Sequence, residues 1–426
     1  MHIPDVPPQL LEAFRQAAAG QRLALVGGVV RDLLLHRQHQ DPWRGLPDLD
    51  LVVEGQATRL VERLPDTLAQ QFGVEVPLRH QPHGRYGTAK LELALPACCG
   101  GSWLVDVASA RRETYPNPAE NPVVTAGSLE QDLARRDFSV NAMALELVAA
   151  GLAEVTLLDP HGGQDDLAQR HLQLLHPQSL RDDPTRLLRA ARYGARLGFA
   201  LAAQSQRQVQ TTLAEWPWPW RPGDRLDRVP AALGTRLRME LELLLEREPW
   251  PAGLALLQAW GGFALLDGEL QADRAWRRRL AWGERLGLPL LPLLLLGSSS
   301  ALALARRLQL PQGQQRLLEQ TLSLRRRLQE ALASGTDAAA PPSTWCQLLE
   351  APGASAEAVA MLLASGAQPR RPLLHWWARW RHVGPPLDGA ALLLRGWSAG
   401  PQLGEELRRL RAERLDRAMG PRRGRS

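Results

Sequence analysis

The chain has 426 residues, of which 45% are hydrophobic and 23% are charged, and its formal net charge is +6. This composition excludes a disordered chain, and the length is enough for two or three domains with a sizeable buried core. The positive balance favours an anionic partner, nucleic acid first. Three cysteines without C-x-x-C spacing, behind a polar start without a secretory leader, predict a reducing cytoplasmic location.

Extended and helical patterns alternate in the first half of the chain. We predict strands over 23–26, 49–53, 74–78, 86–95, 103–107 and 154–158. We predict helices over 10–19, 29–35, 57–72 and 132–148, and a proline-containing loop over 116–127. This alternation is typical of a small mixed sheet with flanking helices.

After residue 163 the periodicity is helical and we find no convincing strand. We predict helices over 178–199, 234–248, 272–286, 301–310, 312–333 and 404–419, interrupted by 216–223 and 334–342. The apolar run 286–296 contains two prolines and is too short to span a bilayer, so no membrane partner is expected. The expected fold class is α+β, with a mixed-sheet head at 1–150, an all-helical neck at 151–225 and a helical body and tail at 226–426.

The stretch from residue 23 to 53 combines a glycine turn with a pair of carboxylates. Gly27 and Gly28 end an apolar strand and open a helix, where backbone N–H groups suit an anion, and Arg31 can meet a phosphate. Asp48 and Asp50 share one strand face and repel each other unless a cation lies between them. Taken alone, the glycine turn also fits an ordinary strand–helix turn, and the carboxylate pair also fits an ordinary acidic strand end. Together they predict a nucleoside triphosphate held with Mg²⁺.

A second charged segment leads into an apolar stretch at residues 135–144. Arg135 and Arg136 suit phosphate oxygens, whereas Asp137 or Asn141 suits a ribose hydroxyl. The alternative is a capped helix with a solvated arginine pair. A third segment, 159–167, is rich in turn residues and is interpreted as a structural hinge.

A fourth segment places alternating charges along one predicted helix. Asp183 and Arg186 share a face, followed by Arg189 and Arg192 on the same side. An aspartate can accept from an exocyclic amine of a base while an arginine donates to ring acceptors. The alternative is a surface ion pair that contributes little.

These segments, in this order, resemble the class II tRNA nucleotidyltransferases and bacterial poly(A) polymerases of the polymerase β-like nucleotidyltransferase superfamily. The family patterns match as G-G-x-V-R-D at 27–32, D-x-D at 48–50, R-R-D-F-T-x-N-A at 135–142, D-P-x-G-G-x-x-D-L at 159–167 and E-D-x-x-R at 182–186. Ser139 replaces a threonine, and Asp182 replaces a glutamate and has a shorter reach. The resemblance is specific over the first two hundred residues and returns weakly at 236–245 and 400–404.

The resemblance implies template-independent addition of nucleotides to the 3′ end of tRNA from CTP and ATP. Asp48 and Asp50 would be catalytic and hold two Mg²⁺ ions. Asp106 lies at another strand end nearby and is a less favoured candidate for a third carboxylate at the metal.

The implied nucleotide-binding set runs from the head into the neck. It comprises Gly28, Arg31, Arg135, Arg136, Asp137, Asn141, Asp183, Arg186, Arg189 and Arg192. Gly28 and Arg31 would hold the triphosphate. Asp183 and Arg186 would select the base, and the residues around 135–141 would recognise the ribose.

Members of this family add CCA, CC alone or the final A to tRNA, or poly(A) to RNA. Enzymes restricted to CC tend to lack a flexible loop between the D-x-D and R-R-D motifs, and residues 111–127 supply such a loop here. We therefore rank CCA addition first, A addition alone second and poly(A) synthesis third. A non-catalytic RNA-binding protein and a nucleotidyltransferase for small molecules are the less favoured alternatives, and no protein partner is predicted.

Two carboxyl-terminal features leave open how the body and tail meet tRNA. The arginine-rich stretch 405–426 is either a solvated helix or a contact to the tRNA backbone. The aromatic cluster 375–380 is predicted to pack in a helical core rather than to stack on bases.

Overall fold

The computed structural model describes residues 3–43, 45, 48–83, 87–148 and 155–419. The strands are β1 Leu23–Val26, β2 Leu49–Val53, β3 Leu78–His83, β4 Thr88–Ala94, β5 Ser102–Ser109, β6 Arg111–Thr114, β7 Val123–Ala126, β8 Ala144–Leu147, β9 Val155–Leu158, β10 His171–Leu172 and β11 Ala200–Leu201.

The helices alternate with the strands at first and then follow one another. They are α1 Pro8–Ala17, α2 Gly28–His39, α3 Ala57–Phe72, α4 Leu129–Ala134, α5 Gly163–Gln169, α6 Ser179–Asp182, α7 Thr185–Leu197, α8 Ala203–Glu215, α9 Thr235–Arg247, α10 Trp250–Ala259, α11 Gly268–Ala272, α12 Trp276–Arg285, α13 Leu290–Leu295, α14 Ala301–Arg307, α15 Gln312–Ala333, α16 Pro342–Leu349, α17 Ala356–Ala364, α18 Arg370–Ala378, α19 Gly389–Leu394 and α20 Pro401–Met419. None of these helices is long and apolar enough to cross a membrane.

One mixed sheet positions the head of the molecule. Its strand order is β3-β4-β5-β2-β1-β8-β9. The neighbours β2 and β5 are parallel, and the register sets Asp50 beside Asp106. On the other side of β5, Lys90 of β4 pairs with Asp106. Since Val105 and Val107 are buried, side-chain alternation places the intervening Asp106 on the opposite face of the sheet.

The backbone groups into two compact units, which we describe separately. The first comprises Met1–Asp224, Pro230–Glu240 and Glu246–Gly262, and the second comprises Arg225–Val229, Leu241–Leu245 and Phe263–Ser426. The α+β fold class is confirmed, with the mixed sheet in the amino-terminal part and helices after it. The three-part division at residues 150 and 225 stays a prediction, and residue 150 lies outside the described residues.

The second unit has a core of aromatic and aliphatic side chains. Trp345, Trp376, Trp380 and Leu415 are buried together there. The prediction that the 375–380 cluster packs in a helical core is therefore confirmed for its two buried tryptophans. The tail interpretation stays open, since residues 420–426 lie outside the described part of the chain.

The predicted helix over 132–148 is wrong beyond Ala134. The helix α4 ends at Ala134, and residues 144–147 form β8, which pairs with β1 on one side and β9 on the other. A short apolar run fits a buried strand as well as a helix, and the periodicity alone could not distinguish them.

Two further predictions are corrected by strand pairing and by a proline. The predicted loop 116–127 includes β7, which forms an antiparallel hairpin with β6. The predicted helix 178–199 is broken at Asp183, which is extended with φ −143° and ψ 94°. Pro184 follows it, and a proline disfavours helical geometry in the residue before it.

Smaller differences concern strand positions. The strand predicted at 74–78 begins at Leu78, and residue 86 of the strand predicted at 86–95 lies outside the described residues. A two-residue parallel pair, β10 with β11, follows residue 163, where no strand was predicted. The helices predicted at 57–72 and 312–333 are confirmed as α3 and α15.

Candidate active site

Carboxylates converge where β2 and β5 lie side by side. Asp48 directly precedes β2, Asp50 lies within it, and Asp106 lies opposite Asp50 in β5. Oxygen atoms of these three side chains lie within 4.8 Å of one another. This spacing lets a divalent cation share them. The structure thus brings the predicted pair together with Asp106, which the sequence analysis gave only as a less favoured third carboxylate.

The carboxylates of this cluster repel one another. Burial, followed by the charge of Asp48, raises the pKa of Asp50 to about 6, and Asp106 acts in the same direction. Arg136 and Lys90 oppose this shift. A bound cation would relieve the repulsion, and oxygen donors suit a hard divalent metal. The residues therefore fit the divalent metal that the resemblance implies.

The glycine turn lies beside the carboxylates. Gly27 has φ 74°, and a Cβ there would lie 3.2 Å from Nη1 of Arg136 and 3.7 Å from Oδ2 of Asp50. Only glycine combines this conformation with so close an approach. The Nη2 group of Arg136 donates to Asp132 at 3.0 Å, while its buried Nε has no hydrogen-bond partner among the described residues. The Nη1 end of the Arg136 guanidinium thus brings a positive charge next to the start of α2.

Arg31 lies behind this turn. Its buried guanidinium donates to both carboxylate oxygens of Asp32, at 2.8 and 3.0 Å, and to Oδ1 of Asn141 at 2.9 Å. Its Cζ also lies 5.4 Å from the centre of the Tyr193 ring. These contacts place Arg31 behind Asn141, and its predicted phosphate contact stays a prediction.

Asp137 and Asn141 form a fixed polar pair. The Nδ2 group of Asn141 donates to Oδ1 of Asp137 at 3.0 Å, and Nε of Arg189 donates to Oδ2 of Asp137 at 2.7 Å. Burial raises the pKa of Asp137, but the charge of Arg189 and these hydrogen bonds outweigh it and hold the pKa below its usual value. Asp137 therefore stays ionised and oriented.

Arg135 connects the hairpin to the helices. Its Nε donates to Asp132 at 2.9 Å and its Nη1 to Glu113 of β6 at 3.2 Å. The hydroxyl of Tyr115 donates to the other Glu113 oxygen at 3.1 Å. The Arg135 carbonyl accepts a hydrogen bond of 3.0 Å from Arg186 of α7. The hairpin is thereby tied to the site by charged groups.

Asp183 and Arg186 both lie at the start of α7 but have separate partners. Asp183 accepts from the Thr185 backbone N–H at 3.1 Å and from its hydroxyl at 2.6 Å, and it pairs with Arg236 of α9. Arg186 donates to Ser179 and to the backbone carbonyl of residue 135. The sequence predicted that Asp183 pairs with Arg186 in one helix. In the structure Asp183 pairs instead with Arg236, about fifty positions further along the chain.

The remaining arginines of α7 form an ion-pair row. Arg189 and Arg192 share Glu240 of α9, at 3.2 and 2.6 Å, and Arg192 lies 3.4 Å from Glu248. Arg196 also pairs with Glu248. Arg192 therefore joins neighbouring helices through these ion pairs, and its place in the nucleotide-binding set stays a prediction.

A cleft of about 550 Å³ joins these groups. It is lined by Gly27, Gly28, Asp50, Arg111, Glu113, Tyr115, Asn121, Pro122, Arg135, Arg136, Asp137, Asn141, Asp183, Thr185, Arg186, Arg189, Tyr193, Arg236, Met239 and Glu240. Of the predicted site residues, Asp48 lies in the neighbouring carboxylate cluster, and Arg31 and Arg192 lie outside this lining.

Sequence reasoning missed the hairpin and α9 contributions to this cleft. Glu113 and Tyr115 were part of a predicted loop, and Arg236, Met239 and Glu240 lie in a predicted body helix. The weak return of family resemblance at 236–245 was the available signal. Asp106 was visible as an acidic residue within an apolar strand, but its pairing with β2 was not.

Known proteins resemble this chain in two ways: in the sequence of its head and in its fold. A family profile for the poly A polymerase head domain matches residues 23–173. The CC-adding tRNA nucleotidyltransferase of Deinococcus radiodurans is 41% identical over 260 residues, 61% of this chain and 59% of that protein. The A-adding tRNA nucleotidyltransferase of Aquifex aeolicus is 40% identical over 189 residues, 44% of this chain and 20% of that protein. The chain thus spans less than two thirds of the length of these curated relatives.

Solved structures resemble the chain along nearly its whole length. An apo form of a CCA-adding enzyme has a TM-score of 0.71 at 25% identity, covering 99% of this chain and 94% of that one. The Thermotoga maritima CCA-adding enzyme complexed with tRNA has a TM-score of 0.67 at 25% identity, with coverages of 97% and 93%. The head of the chain thus matches the poly A polymerase head domain, and its architecture is similar to that of solved CCA-adding enzymes.

Proposed function

We propose that this protein adds nucleotides from CTP and ATP to the 3′ end of tRNA without a template, completing the CCA terminus. One observation carries the proposal: Asp50 of the carboxylate cluster lines the same cleft as the glycine turn and Asp183. A cation site, an anion site and a base-facing carboxylate are what nucleotidyl transfer from a triphosphate requires. The names of the relatives support this choice of substrates.

The carboxylates Asp48, Asp50 and Asp106 would hold Mg²⁺. When bound, the ions would lower the pKa of the tRNA 3′-hydroxyl and stabilise the charge on the departing pyrophosphate. In the reaction the 3′-oxygen forms a bond to the α-phosphorus, and the bond from this phosphorus to the bridging oxygen of pyrophosphate breaks. The protein's part is to hold the two reactants in line.

The triphosphate would lie against the glycine turn. Gly28 begins α2 and so offers backbone N–H groups, and Nη1 of Arg136, which lies next to Gly27, adds a charged donor beside them. Asp137 and Asn141, held rigid by Arg31 and Arg189, would contact the ribose hydroxyls.

The base would face the start of α7 and of α9. Asp183 offers a buried carboxylate there, and Arg186 borders the same wall. Arg189 and Arg192 would act indirectly, by fixing Asp137 and by joining α7 to Glu240. The head at 1–150, neck at 151–225 and body and tail at 226–426 remain our proposed division, with the last part binding tRNA.

We place this activity in the cytoplasm. Cys346 is a free thiol, as a reducing compartment predicts, and the Cys98 side chain lies outside the described residues.

Addition of CC alone is the second candidate. It is favoured by the identity of 41% to a CC-adding enzyme over 61% of this chain. The hairpin β6–β7 argues for use of ATP as well, because it provides the segment that CC-restricted family members tend to lack.

Nucleotide incorporation tests the proposal directly. The protein is incubated with Mg²⁺ and labelled CTP or ATP, on a tRNA transcript that ends before CCA and on one that ends in CC. CCA addition predicts CTP incorporation on the first transcript and ATP incorporation on the second. Incorporation of CTP alone would select the CC-adding candidate, ATP alone the A-adding one, and no incorporation of either would reject the proposal.

A further inference from the structure

Three charged side chains lie in a row across neighbouring strands of the head. Asp50 of β2 lies beside Asp106 of β5, and on the other side of β5 Asp106 lies opposite Lys90 of β4. Side chains of directly paired residues point to the same face of a sheet, so all three project together. Because neighbouring strands lie about 4.8 Å apart, the Lys90 backbone lies about 10 Å from that of Asp50, beyond Asp106.

The ammonium group of Lys90 borders the carboxylate cluster without a fixed partner. The side chain is exposed, and its positive charge acts on Asp50. With the side chains of the described residues it forms neither an ion pair nor a hydrogen bond. A flexible cation is therefore available to a ligand next to Asp106.

The glycine turn approaches the carboxylates from the opposite direction. It lines the cleft together with Asp50, whereas Asp106 and Lys90 lie outside this lining. In the sheet, β1 and β5 flank β2 on opposite sides, and β1 leads directly into the turn. The proposed anion site and Lys90 thus lie on opposite sides of the carboxylate cluster.

The geometry of nucleotidyl transfer assigns these two sides to different reactants. The attacking 3′-oxygen and the departing pyrophosphate lie roughly in line, on opposite sides of the α-phosphorus. With the pyrophosphate against the glycine turn, the RNA 3′ end approaches from the side of β5 and β4. Its last phosphodiester, one sugar away from the attacking hydroxyl, then comes close to Lys90. A compact ammonium on a flexible stem suits a phosphate oxygen.

We infer that Lys90 binds the backbone phosphate next to the 3′ end of the acceptor tRNA and so positions the 3′-hydroxyl for attack. This inference rests on the proposed function and deepens it, because it assigns a residue to the RNA rather than to the nucleotide. A phosphate contact fixes position and reads no base. The contact should therefore serve acceptors that end before CCA and in CC alike.

Chemical labelling tests the placement in the unmodified protein. Lys90 is the only lysine among the 426 residues, so it carries the only side-chain amine. The complete chain is treated with an amine-acylating reagent alone, with Mg²⁺ and CTP, or with a tRNA transcript ending before CCA. Labelling is measured by peptide mass spectrometry, with the α-amino group as internal reference. We expect saturating tRNA to suppress labelling of Lys90, and CTP to leave it unchanged.

Kinetics test the phosphate contact itself. Lys90→Gln should lower kcat/KM for both tRNA transcripts by about 3- to 10-fold at low salt, since one phosphate contact is lost. The slope of log kcat/KM against log salt concentration should become shallower by about 0.7 to 1. The KM for CTP should not change. Lys90→Arg keeps the charge and should keep the salt dependence of the unmodified protein.

Arg63→Gln is the matched control. Arg63 is an exposed residue of α3, and this helix packs against β4, whose buried face lies opposite Lys90. The variant loses one positive charge of the head and should keep the kinetics of the unmodified protein.

Three results would overturn the inference. They are labelling of Lys90 that saturating tRNA leaves unchanged, protection of Lys90 by CTP without tRNA, and an unchanged salt slope in Lys90→Gln. The labelling experiment uses the unmodified chain, so it decides the matter even if a variant does not fold. Absence of CTP and ATP incorporation by the unmodified protein would instead reject the proposed function.

Discussion

Two charged regions of the first unit are built in opposite ways. Where the interior strands β2 and β5 lie side by side, Asp48, Asp50 and Asp106 bring like charges together, and the pKa of Asp50 rises to about 6, first through burial and then through the charge of Asp48. Along α7, by contrast, Arg192 and Arg196 meet the carboxylate of Glu248. One region concentrates charge of one sign, and the other balances it.

The contrast separates residues that act on a ligand from residues that hold the fold. A balanced ion pair needs no further partner, so it stabilises the contact between helices. A cluster of like charges is unfavourable until a cation arrives, and a fold retains it where binding requires it. By this criterion we propose that Asp106 acts with Asp48 and Asp50, and that Arg192 stabilises the contact between α7 and α9.

The largest effect is expected for Asp50→Asn. Loss of a ligand to the catalytic metal should lower nucleotide incorporation by about 10³-fold or more, since the metal contributes several kcal/mol to the transition state. Stability should not fall, because one of the repelling charges is gone. Asp66→Asn, an exposed change on α3, is the matched control. Wild-type incorporation by Asp50→Asn would refute its role as a metal ligand.

A smaller loss is expected for Asp106→Asn. If Asp106 is the third carboxylate of the site, incorporation should fall by about 10²-fold, and high Mg²⁺ should partly restore it, because the remaining ligands bind more weakly. The measurement is the rate of incorporation against Mg²⁺ concentration. An unchanged rate and an unchanged Mg²⁺ dependence would place Asp106 outside the site.

A change in the ion-pair row along α7 should lower the stability of the fold rather than the rate of incorporation. Glu248→Gln leaves the largely buried Arg192 and the more exposed Arg196 without their shared carboxylate, which should cost about 2–3 kcal/mol in urea unfolding. Incorporation by the folded variant, measured well below its unfolding temperature, should stay within about threefold of wild type. Glu215→Gln, on the exposed face of α8, controls for the charge change. A catalytic loss without a stability loss would contradict the assignment of this row to the framework.

The smallest effect concerns pH in metal-free protein. The pKa of Asp50 in the folded state, about 6, lies above its value of 3.8 in a model peptide. The folded state therefore holds the proton more tightly, and this stabilisation is lost as the pH rises through about 6. Between pH 4 and 7 the Tm of wild type should fall relative to Asp50→Asn by roughly 2 °C or more. If the Tm profiles of the two proteins run parallel, the pKa of Asp50 is not raised in the folded state.

Local patterns predicted much of the head. The glycine turn, the D-x-D spacing and the amphipathic helix α3 depend on residues near one another in sequence, and each is found where it was expected. The break before Pro184 was also readable from the sequence, because a proline restricts the preceding residue, but the strong helical pattern around it concealed this.

Pairings between distant segments could not be read in this way. The position of Asp106 opposite Asp50 depends on the parallel pairing of β2 with β5, and the pairing of Asp183 with Arg236 on the approach of α9. Arg31 illustrates the same limit, because its motif suggested a phosphate contact, whereas Asp32 and Asn141 bind its guanidinium. A motif predicts which residues gather, but packing decides which of them face the cleft.

Cation binding tests the central claim most directly. Mn²⁺ binding to the complete chain is measured by electron paramagnetic resonance at neutral pH, for wild type, Asp50→Asn, Asp106→Asn and the Asp66→Asn control. We expect saturable binding by wild type and the control, with loss of that binding in Asp50→Asn and weaker binding in Asp106→Asn. Binding of Mn²⁺ by Asp50→Asn as tight as that of wild type would contradict the claim that the converging carboxylates are the metal site.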